Sequence, residues 1–304
     1  MSEQTEQANG DWTIGRLLDW TRRHFDAREI EDARLCAELL LAEALGCRRI
    51  ELYTRFGDVP AEAPRAAYRE LVKAAAAHRP IAYLIGRKEF YSLDFLVTPD
   101  VLIPRPETEL LVEHALGWCS DHPLDSYALL DIGTGSGCIA VTIARRNEAV
   151  HAVATDISAA ALKVARQNAE RHGVSDRVRF VQADMLDPPR SSDAGFASDC
   201  LFDIIVSNPP YVAVHERETL PKNVRDYEPE IALFCGADGL DAYRRIAEGV
   251  RGCLKPGGAL LLEIGEGRAE AVTALFTETA GLEFDRCHKD LAGTDRALQF
   301  TLPA

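Results

Sequence analysis

Seven short apolar runs, separated mostly by helical patterns, constrain the fold of this chain more than any other feature. Most of the intervals between the runs carry apolar residues at helical spacing, and strands that alternate with helices form a parallel sheet covered on both faces. No helix fits between the last two runs, so we expect an antiparallel hairpin there. The sequence therefore predicts an α/β domain with a seven-stranded sheet. The candidate strands lie near Tyr127, His151, Val178, Leu201, Ala259, Leu282 and Ala297.

A glycine-rich loop follows the first of these strands. It separates the buried run 127–132 from a helical pattern over 138–146. Glycines at alternate positions permit a tight turn and let a ligand lie against bare main chain. A dinucleotide fingerprint would need a third glycine at Cys138, which disfavours a pyrophosphate cradle. The loop residues are Gly133, Thr134, Gly135, Ser136 and Gly137.

An Asn-Pro-Pro-Tyr sequence follows the fourth strand. The side-chain oxygen of Asn208 can accept one N–H of a planar NH2 group, and the carbonyl of Pro209 can accept the other. Pro209 and Pro210 stiffen the loop, and Tyr211 offers a flat face for an amide or a base. Carboxamide and adenine amino nitrogens are poor nucleophiles that must be oriented. The pattern thus indicates nitrogen methylation, with an ordinary strand-ending turn as the alternative.

Acidic residues follow the second and third strands. Asp156 comes about twenty residues after the glycine loop, where a carboxylate can hydrogen-bond ribose hydroxyls. A helix cap is its alternative role, although Ser158 already offers one. Asp184 and Met185 are able to flank an adenine ring, with core or loop roles as the alternative. Together, the features at the ends of these strands predict a pocket for an adenosine whose attached sulfonium group faces Asn208. The implied cofactor is S-adenosylmethionine.

Longer motifs give a family resemblance. In these motifs the chain resembles the PrmC/HemK group, the peptide chain release factor glutamine methyltransferases. The glycine loop is common to many methyltransferases, and adenine methylases share Asn-Pro-Pro-Tyr; the first two motifs below are much narrower. Their combination makes the assignment specific. The motifs are Arg79 to Gly86 with Glu89 to Tyr91, Leu102 to Glu109, the glycine loop, Asn208 to Tyr211, Gly236 to Leu240 and Lys289 to Gly293.

The resemblance implies a Rossmann-like class I methyltransferase domain joined by a β-hairpin linker to a small N-terminal helical domain. It implies that the glycine loop wraps the methionine part of the cofactor, that Asp156 binds the ribose and that Met185 lies beside the adenine. Asn208 would hold cofactor and substrate, and residues 208–211 would grip a glutamine side chain. The implied acceptor is the Gly-Gly-Gln glutamine of class 1 release factors. A role for Arg105 and Glu107, which start a predicted helix, is left open.

A chain of 304 residues exceeds the usual size of one domain. The helical patterns over 12–46 and 61–78 carry no chemical motif, which favours a folding or docking module. The resemblance suggests that this module holds the protein substrate. A polar segment at 187–199 is expected to be a mobile surface loop. The predicted divisions are a loose tail at 1–10, a helical domain at 11–87, a hairpin linker at 88–103 and a methyltransferase domain at 104–304.

Composition and charge limit the kinds of partner that we expect this protein to bind. The polar start, Met1 to Gly10, is unlike a signal peptide, and no stretch approaches the roughly 18 apolar residues of a membrane span. Eight scattered cysteines show neither Cys-x-x-Cys nor zinc spacing, so we expect no metal and a reducing cytoplasm. The net charge of -14 and the lack of a basic run disfavour a nucleic-acid partner. A monomer that acts on release factors is expected.

Three other functions remain open on the same motifs. A nucleic-acid adenine methylase would use the same Asn-Pro-Pro-Tyr loop. A glutamine methylase of ribosomal proteins would differ only in its protein substrate. A nonenzymatic adaptor would bind the cofactor and dock on translation factors through the N-terminal helices.

Overall fold

The computed structural model describes residues 11–186 and 201–304. The chain divides into two compact units between Gly86 and Arg87. The hairpin expected as a linker belongs to the second unit, since its first strand begins at Arg87. The expected tail at 1–10 and the expected loop at 187–199 lie outside the described residues.

The described part of the first unit is helical. The pattern over 12–46 is divided into two helices, because Glu29 and Asp32 both have positive φ and turn the chain between them. Ile14, Phe25 and Leu40 are fully buried, so the apolar positions at helical spacing build a core of their own. The helices are α1 Ile14–Asp26, α2 Ala33–Leu45, α3 Arg49–Thr54, α4 Glu62–Ala76 and α5 Ile81–Ile85.

The second unit contains a seven-stranded sheet in the order β5-β4-β3-β6-β7-β9-β8. The first five strands in this order are parallel, and β9 pairs antiparallel with both β7 and β8. The predicted strand number and the terminal antiparallel hairpin are therefore confirmed. The strands are β3 Tyr127–Ile132, β4 Val150–Asp156, β5 Val178–Gln182, β6 Phe202–Ser207, β7 Leu254–Glu263, β8 Glu283–Lys289 and β9 Asp295–Thr301.

Helices cover both faces of this sheet. Side chains of one strand point alternately to the two faces, so Leu129 joins the core beneath α6 and α7 while Leu130 joins the core beneath α11 and α12. Burial on both faces explains why strands such as β3 and β6 appear as nearly continuous apolar runs. The α-helices described in the second unit, including the short α9 and α10 of the connection after β6, are α6 Glu109–Asp121, α7 Cys138–Arg146, α8 Ala159–Arg171, α9 Lys222–Arg225, α10 Glu230–Leu233, α11 Asp241–Val250 and α12 Ala269–Glu278.

A two-stranded hairpin begins the second unit. Strands β1 Arg87–Phe90 and β2 Leu93–Leu96 pair antiparallel, which is a shorter span than the 88–103 expected for the linker. Buried Asn168 of α8 holds the hairpin: its side chain accepts from Leu96 N (2.7 Å) and donates to Leu96 O (3.0 Å). The same amide donates to Ser136 O at 2.8 Å. One side chain thus fixes both the hairpin and the glycine loop.

Asn168→Ala is expected to destabilise the protein by about 2–3 kcal/mol, because it removes three hydrogen bonds at a fully buried position and leaves their backbone partners unpaired. The free energy of unfolding from urea titration measures this loss. Asn223→Ala, an exposed position in α9, is the control and should change it by less than about 0.5 kcal/mol. Equal stabilities of the two variants would contradict this account of Asn168.

No helix in the two described ranges has both the length and the apolar character needed to cross a membrane.

Candidate active site

The carboxyl ends of β3, β4 and β6 lie side by side at one edge of the sheet. Ile132 pairs with Thr155 of β4 and with Ser207 of β6. The residues that follow these strands are therefore neighbours in space. This register brings together the glycine loop, Asp156 and Asn208, at the edge where open α/β sheets bind their ligands.

A cavity of about 370 Å³ opens at this edge. Its volume is that of a small-molecule site. Gly137, Pro209 and Tyr211 lie outside the described wall of the cavity. The glycine loop and the Asn-Pro-Pro-Tyr segment nevertheless share one cavity, as the sequence hypothesis requires. The predicted site residues in the wall are Gly133, Thr134, Gly135, Ser136, Asp156, Met185, Asn208 and Pro210.

The first two glycines present bare main chain to the cavity. Gly133 and Gly135 have φ of +72° and +55°, a conformation that L side chains rarely adopt. Apart from the glycine itself and its two chain neighbours, no described residue has an atom within 4 Å of the position that a Cβ atom would take at Gly133 or Gly135. The space in front of both glycines is therefore open to a ligand.

Gly137 has a different role from the other two glycines. It stands just before α7 with φ of +81°, and a Cβ atom there would lie 3.1 Å from Cβ of Ala165. A glycine here allows α7 to approach α8 closely. Gly137 lies outside the described wall, and packing of α7 against α8 is one reason for a glycine here. Contact of Gly137 with the cofactor stays a prediction.

Asp131 anchors the glycine loop from below. Its Oδ2 atom accepts from Thr134 Oγ1 (2.6 Å) and Ala140 N (3.3 Å), whereas Oδ1 has no hydrogen-bond partner among the described residues. Complete burial raises the pKa of this carboxyl to about 7. Its position, as an acid in a buried strand directly before a glycine loop, was a sequence signal for this residue, which the predicted site omitted.

Asp156 connects the loop to the start of α8. Its Oδ2 atom accepts from Gly135 N at 2.9 Å and Oδ1 accepts from Ser158 N at 2.8 Å. Ser158 caps α8 through Ala161 N, so the predicted cap is confirmed and Asp156 is not needed for it. Burial raises the pKa of the Asp156 carboxyl. Its place in the cavity wall leaves ribose binding as a prediction that fits the geometry.

The segment after β5 forms another part of the wall. Met185 lines the cavity with φ of +56°. Asp184 lies beside it, and its Oδ1 atom accepts from Arg245 Nη1 of α11 at 2.7 Å. This ion pair attaches the segment to α11. Contact of Met185 with an adenine stays a prediction.

The Asn-Pro-Pro-Tyr segment divides between the cavity and the protein interior. Asn208 and Pro210 line the cavity, and Pro209 is buried. Tyr211 packs against the backbone of Gly265, where a Cβ atom would lie 2.9 Å from its ring. Burial raises the pKa of the Tyr211 hydroxyl to about 12, so the phenol is neutral near pH 7 and cannot act as a base there.

Four residues far from the motif complete this side of the site. Asn208 Nδ2 donates to Thr108 Oγ1 at 3.1 Å, and Thr108 Oγ1 donates to Glu263 Oε2 at 2.6 Å. Thr108 lies in the 3-10 turn Pro106–Thr108, next to Arg105, which lines the cavity. Arg105 forms an ion pair with buried Glu228 at 2.5 Å. Sequence reasoning left Arg105 undecided and missed the other three.

The charge of the wall suits a cationic ligand. Its described part contains four carboxyl groups and two guanidinium groups. An ion of positive charge gains from such a surplus of carboxylates in a partly enclosed site. The carboxyl groups belong to Asp100, Asp156, Asp184 and Asp241, and the guanidinium groups to Arg105 and Arg245.

The fold and the site together define a class I methyltransferase. A family model described as a methyltransferase domain matches residues 124–282, and one described as the PrmC N-terminal domain matches residues 16–86. Among solved structures, the N-terminal domain of human METTL16 in complex with SAH has a TM-score of 0.51 at 16% identity, covering 76% of this chain and 84% of that one. At that identity the likeness concerns the fold alone.

Two curated relatives show to which family of methyltransferases the chain belongs. The release factor glutamine methyltransferase of Rhodopirellula baltica is 44% identical over 291 residues, which cover 94% of this chain and 95% of the relative. That of Geobacter sulfurreducens is 42% identical over 289 residues, covering 94% and 96%. The chain belongs to the release factor glutamine methyltransferase family.

Proposed function

We propose that this protein transfers a methyl group from S-adenosylmethionine to the side-chain amide nitrogen of the glutamine in the Gly-Gly-Gln motif of class 1 release factors. The reaction takes place in the cytoplasm, where translation presents that substrate. Family membership over nearly the full chain supports the acceptor. The observation that carries the chemistry is that Asn208 and the open glycine loop line one cavity.

The residues present fit S-adenosylmethionine. Gly133 and Gly135 leave room for a ligand against the main chain, and Asp156 offers a carboxylate at the same edge. The surplus of carboxylates suits the positive charge of a sulfonium and an ammonium group. When bound, this cofactor supplies an electrophilic methyl group.

Asn208 orients the acceptor nitrogen. Its Nδ2 atom is engaged by Thr108, which leaves Oδ1 to accept one N–H of the substrate amide. The carbonyl of Pro209 is proposed to accept the other N–H. With both hydrogens held, the lone pair of the nitrogen is directed at the methyl carbon, and this positioning is the main contribution of the protein.

The transfer balances without a strong base. The amide nitrogen forms its bond to the methyl carbon while the carbon–sulfur bond breaks, and the bonding pair goes to sulfur. The methylated nitrogen is then acidic and releases one proton to solvent. A neutral Tyr211 phenol agrees with a step that needs no general base.

Incorporation of labelled methyl groups tests this proposal. Purified class 1 release factor should be labelled, and its Gln-to-Ala variant in the Gly-Gly-Gln motif should not. Ribosomal proteins, DNA and RNA are offered in parallel under the same conditions. Equal labelling of the two release factors, or preferential labelling of another acceptor, would overturn the proposed substrate.

The N-terminal helical unit, predicted over residues 11–87, is proposed to dock the release factor. Trp12 and Trp20 are 44% and 49% exposed, and their rings meet edge to face with centroids 6.5 Å apart. Adjacent exposed aromatic side chains are typical of protein interaction sites. This patch lies within the unit for which sequence analysis found no chemical motif.

The double variant Trp12→Ala/Trp20→Ala is expected to raise the KM for release factor about thirtyfold, because each exposed aromatic anchor contributes on the order of 1 kcal/mol to binding. The kcat and the Kd for S-adenosylmethionine should stay as in the parent. Steady-state kinetics and calorimetry measure these quantities. Leu124→Ala, which removes a 47% exposed side chain from the second unit, is the control. An unchanged KM in the double variant would remove the patch from the proposed docking surface.

A further inference from the structure

A buried chain of hydrogen bonds supports Asn208 from behind. It runs from Asn208 through Thr108 to Glu263. Asn208 and Thr108 are 100 residues apart in the sequence, and Thr108 and Glu263 are 155 residues apart. Thr108 and Glu263 are each 3% exposed. The three side chains come from the end of β6, the 3-10 turn before α6 and the end of β7. Such an arrangement fixes a side chain more firmly than contacts within a single loop would.

The chemistry of the three groups gives the chain a direction. An ionised carboxylate only accepts hydrogen bonds, so the single hydroxyl proton of Thr108 must go to Glu263. The oxygen of Thr108 can then only accept from Asn208. The amide of Asn208 must turn its NH2 group to Thr108, which leaves its Oδ1 atom on the opposite side.

We propose that Glu263, acting through Thr108, is a positioning residue that holds the amide of Asn208 with its oxygen towards the substrate. This inference rests on the proposed function, since it assigns the Oδ1 atom to a substrate N–H. If the side-chain amide of Asn208 were flipped by about 180°, its NH2 group would face the substrate nitrogen. An NH2 group only donates, so it could accept neither N–H of the substrate. Thr108 itself lines the cavity, whereas Glu263 lies outside the described wall and acts on the substrate amide through Thr108 and Asn208.

Protonation of Glu263 removes the fixed donor-to-acceptor order of the hydrogen bonds from Asn208 through Thr108 to Glu263. A neutral carboxyl can donate to Thr108, whose own proton can then point at Asn208 and stabilise the inverted amide. Burial raises the pKa of Glu263 to about 7. The carboxylate of Glu107 also raises this pKa, while Thr108 and the guanidinium groups of Arg296 and Arg105 oppose the shift. Tyr211, Tyr243 and Cys138 also interact with Glu263, and all three are neutral near pH 7 because burial raises their pKa values.

The direction of the pH effect follows. The orientation of Asn208 with Oδ1 towards the substrate needs ionised Glu263. The kcat should therefore reach its maximum above pH 7 and fall as the pH is lowered through about 7. Asp131 has a similar pKa, but it contacts the glycine loop and should affect cofactor affinity instead. Measurement at saturating S-adenosylmethionine and release factor separates the two groups.

Threonine variants test the hydroxyl. Thr108→Val should lower kcat at pH 8 by about tenfold or more with the Kd for S-adenosylmethionine nearly unchanged, whereas Thr108→Ser should restore kcat to within about threefold of the parent. Thr142→Val is the matched control, because Thr142 is fully buried and its hydroxyl has no partner in the described ranges. Equal kcat in Thr108→Val and Thr142→Val would overturn the inference.

Glu263→Gln tests the charge. This variant should lose about tenfold in kcat at pH 8 and should lack the fall of kcat near pH 7 that the parent shows. Because native Glu263 has a pKa above that of an unfolded glutamate, its ionisation costs stability above pH 7, and the glutamine should not lower the unfolding midpoint at pH 8. A variant with parental kcat, a retained fall near pH 7 or a lowered midpoint would overturn the positioning role. A parent that fails to label release factor would instead overturn the proposed function.

Discussion

Asn208→Ala should lower kcat for methylation of release factor by about a thousandfold, while S-adenosylmethionine and release factor still bind. The variant removes the Oδ1 atom that holds the acceptor N–H and also breaks the contact with Thr108. An unoriented amide nitrogen is a poor nucleophile, so the loss should appear in kcat. Single-turnover kinetics measures the chemical step directly.

Asn223→Ala provides the matched control, because it makes the same change at an exposed residue of α9. It should retain parental kcat. If Asn208→Ala retains kcat as well, the acceptor is oriented by other groups and the proposed geometry is wrong. Loss of turnover with retained release factor binding supports an enzyme, whereas a parent without turnover would support a binding adaptor.

The centre of the sheet could be predicted closely because strands such as β3 and β6 are buried on both faces. Strand β3 has the bounds of the run 127–132, and each of the six other candidate positions lies inside an observed strand or one residue before it. Continuous burial leaves a continuous apolar run, and glycine or a polar residue follows the run where the strand reaches the edge of the sheet, as Gly133 follows β3 and Asn208 follows β6. Local sequence therefore carried most of the information on strand position.

The predicted part of the site consists of residues that directly follow strands. Gly133, Asp156 and Asn208 could be brought together from topology alone, because parallel strands end at the same edge. Thr108, Glu228 and Glu263 could not. They reach the site from distant segments through side-chain contacts. Thr108 stands in the motif Leu102 to Glu109, but the motif does not show which of its residues contacts Asn208, and no local pattern distinguishes Glu228 or Glu263 from other polar residues.

Similar residues in one motif also take different roles. Gly133 and Gly135 face open space, while Gly137 lets α7 and α8 pack closely. All three have positive φ, so the local backbone requirement is the same, and only the neighbours in three dimensions separate them. Tyr211 was expected to face the acceptor, yet its ring packs against Gly265 and lies outside the cavity wall. A face for the substrate at Tyr211 stays a prediction.

Gly135→Leu should weaken binding of S-adenosylmethionine about a hundredfold, close to 2.7 kcal/mol. A side chain at this position enters the open space in front of the loop, because no described atom lies within 4 Å of its Cβ position. The space is proposed to hold the methionine part of the cofactor. Calorimetric titration with S-adenosylmethionine measures the change in Kd, and turnover at low cofactor concentration should fall in parallel.

Gly173→Leu separates this steric effect from backbone strain. Gly173 has φ of +67° and an open Cβ position, as Gly135 does, but it ends α8 near the amino edge of the sheet. Both variants carry the strain of a left-handed conformation, on the order of 1–2 kcal/mol, and should lose similar stability. Only the side chain at 135 competes with the cofactor, so only that variant should lose affinity. Equal Kd values in the two variants would show that the glycine loop does not contact the cofactor and would remove the donor side of the proposed site.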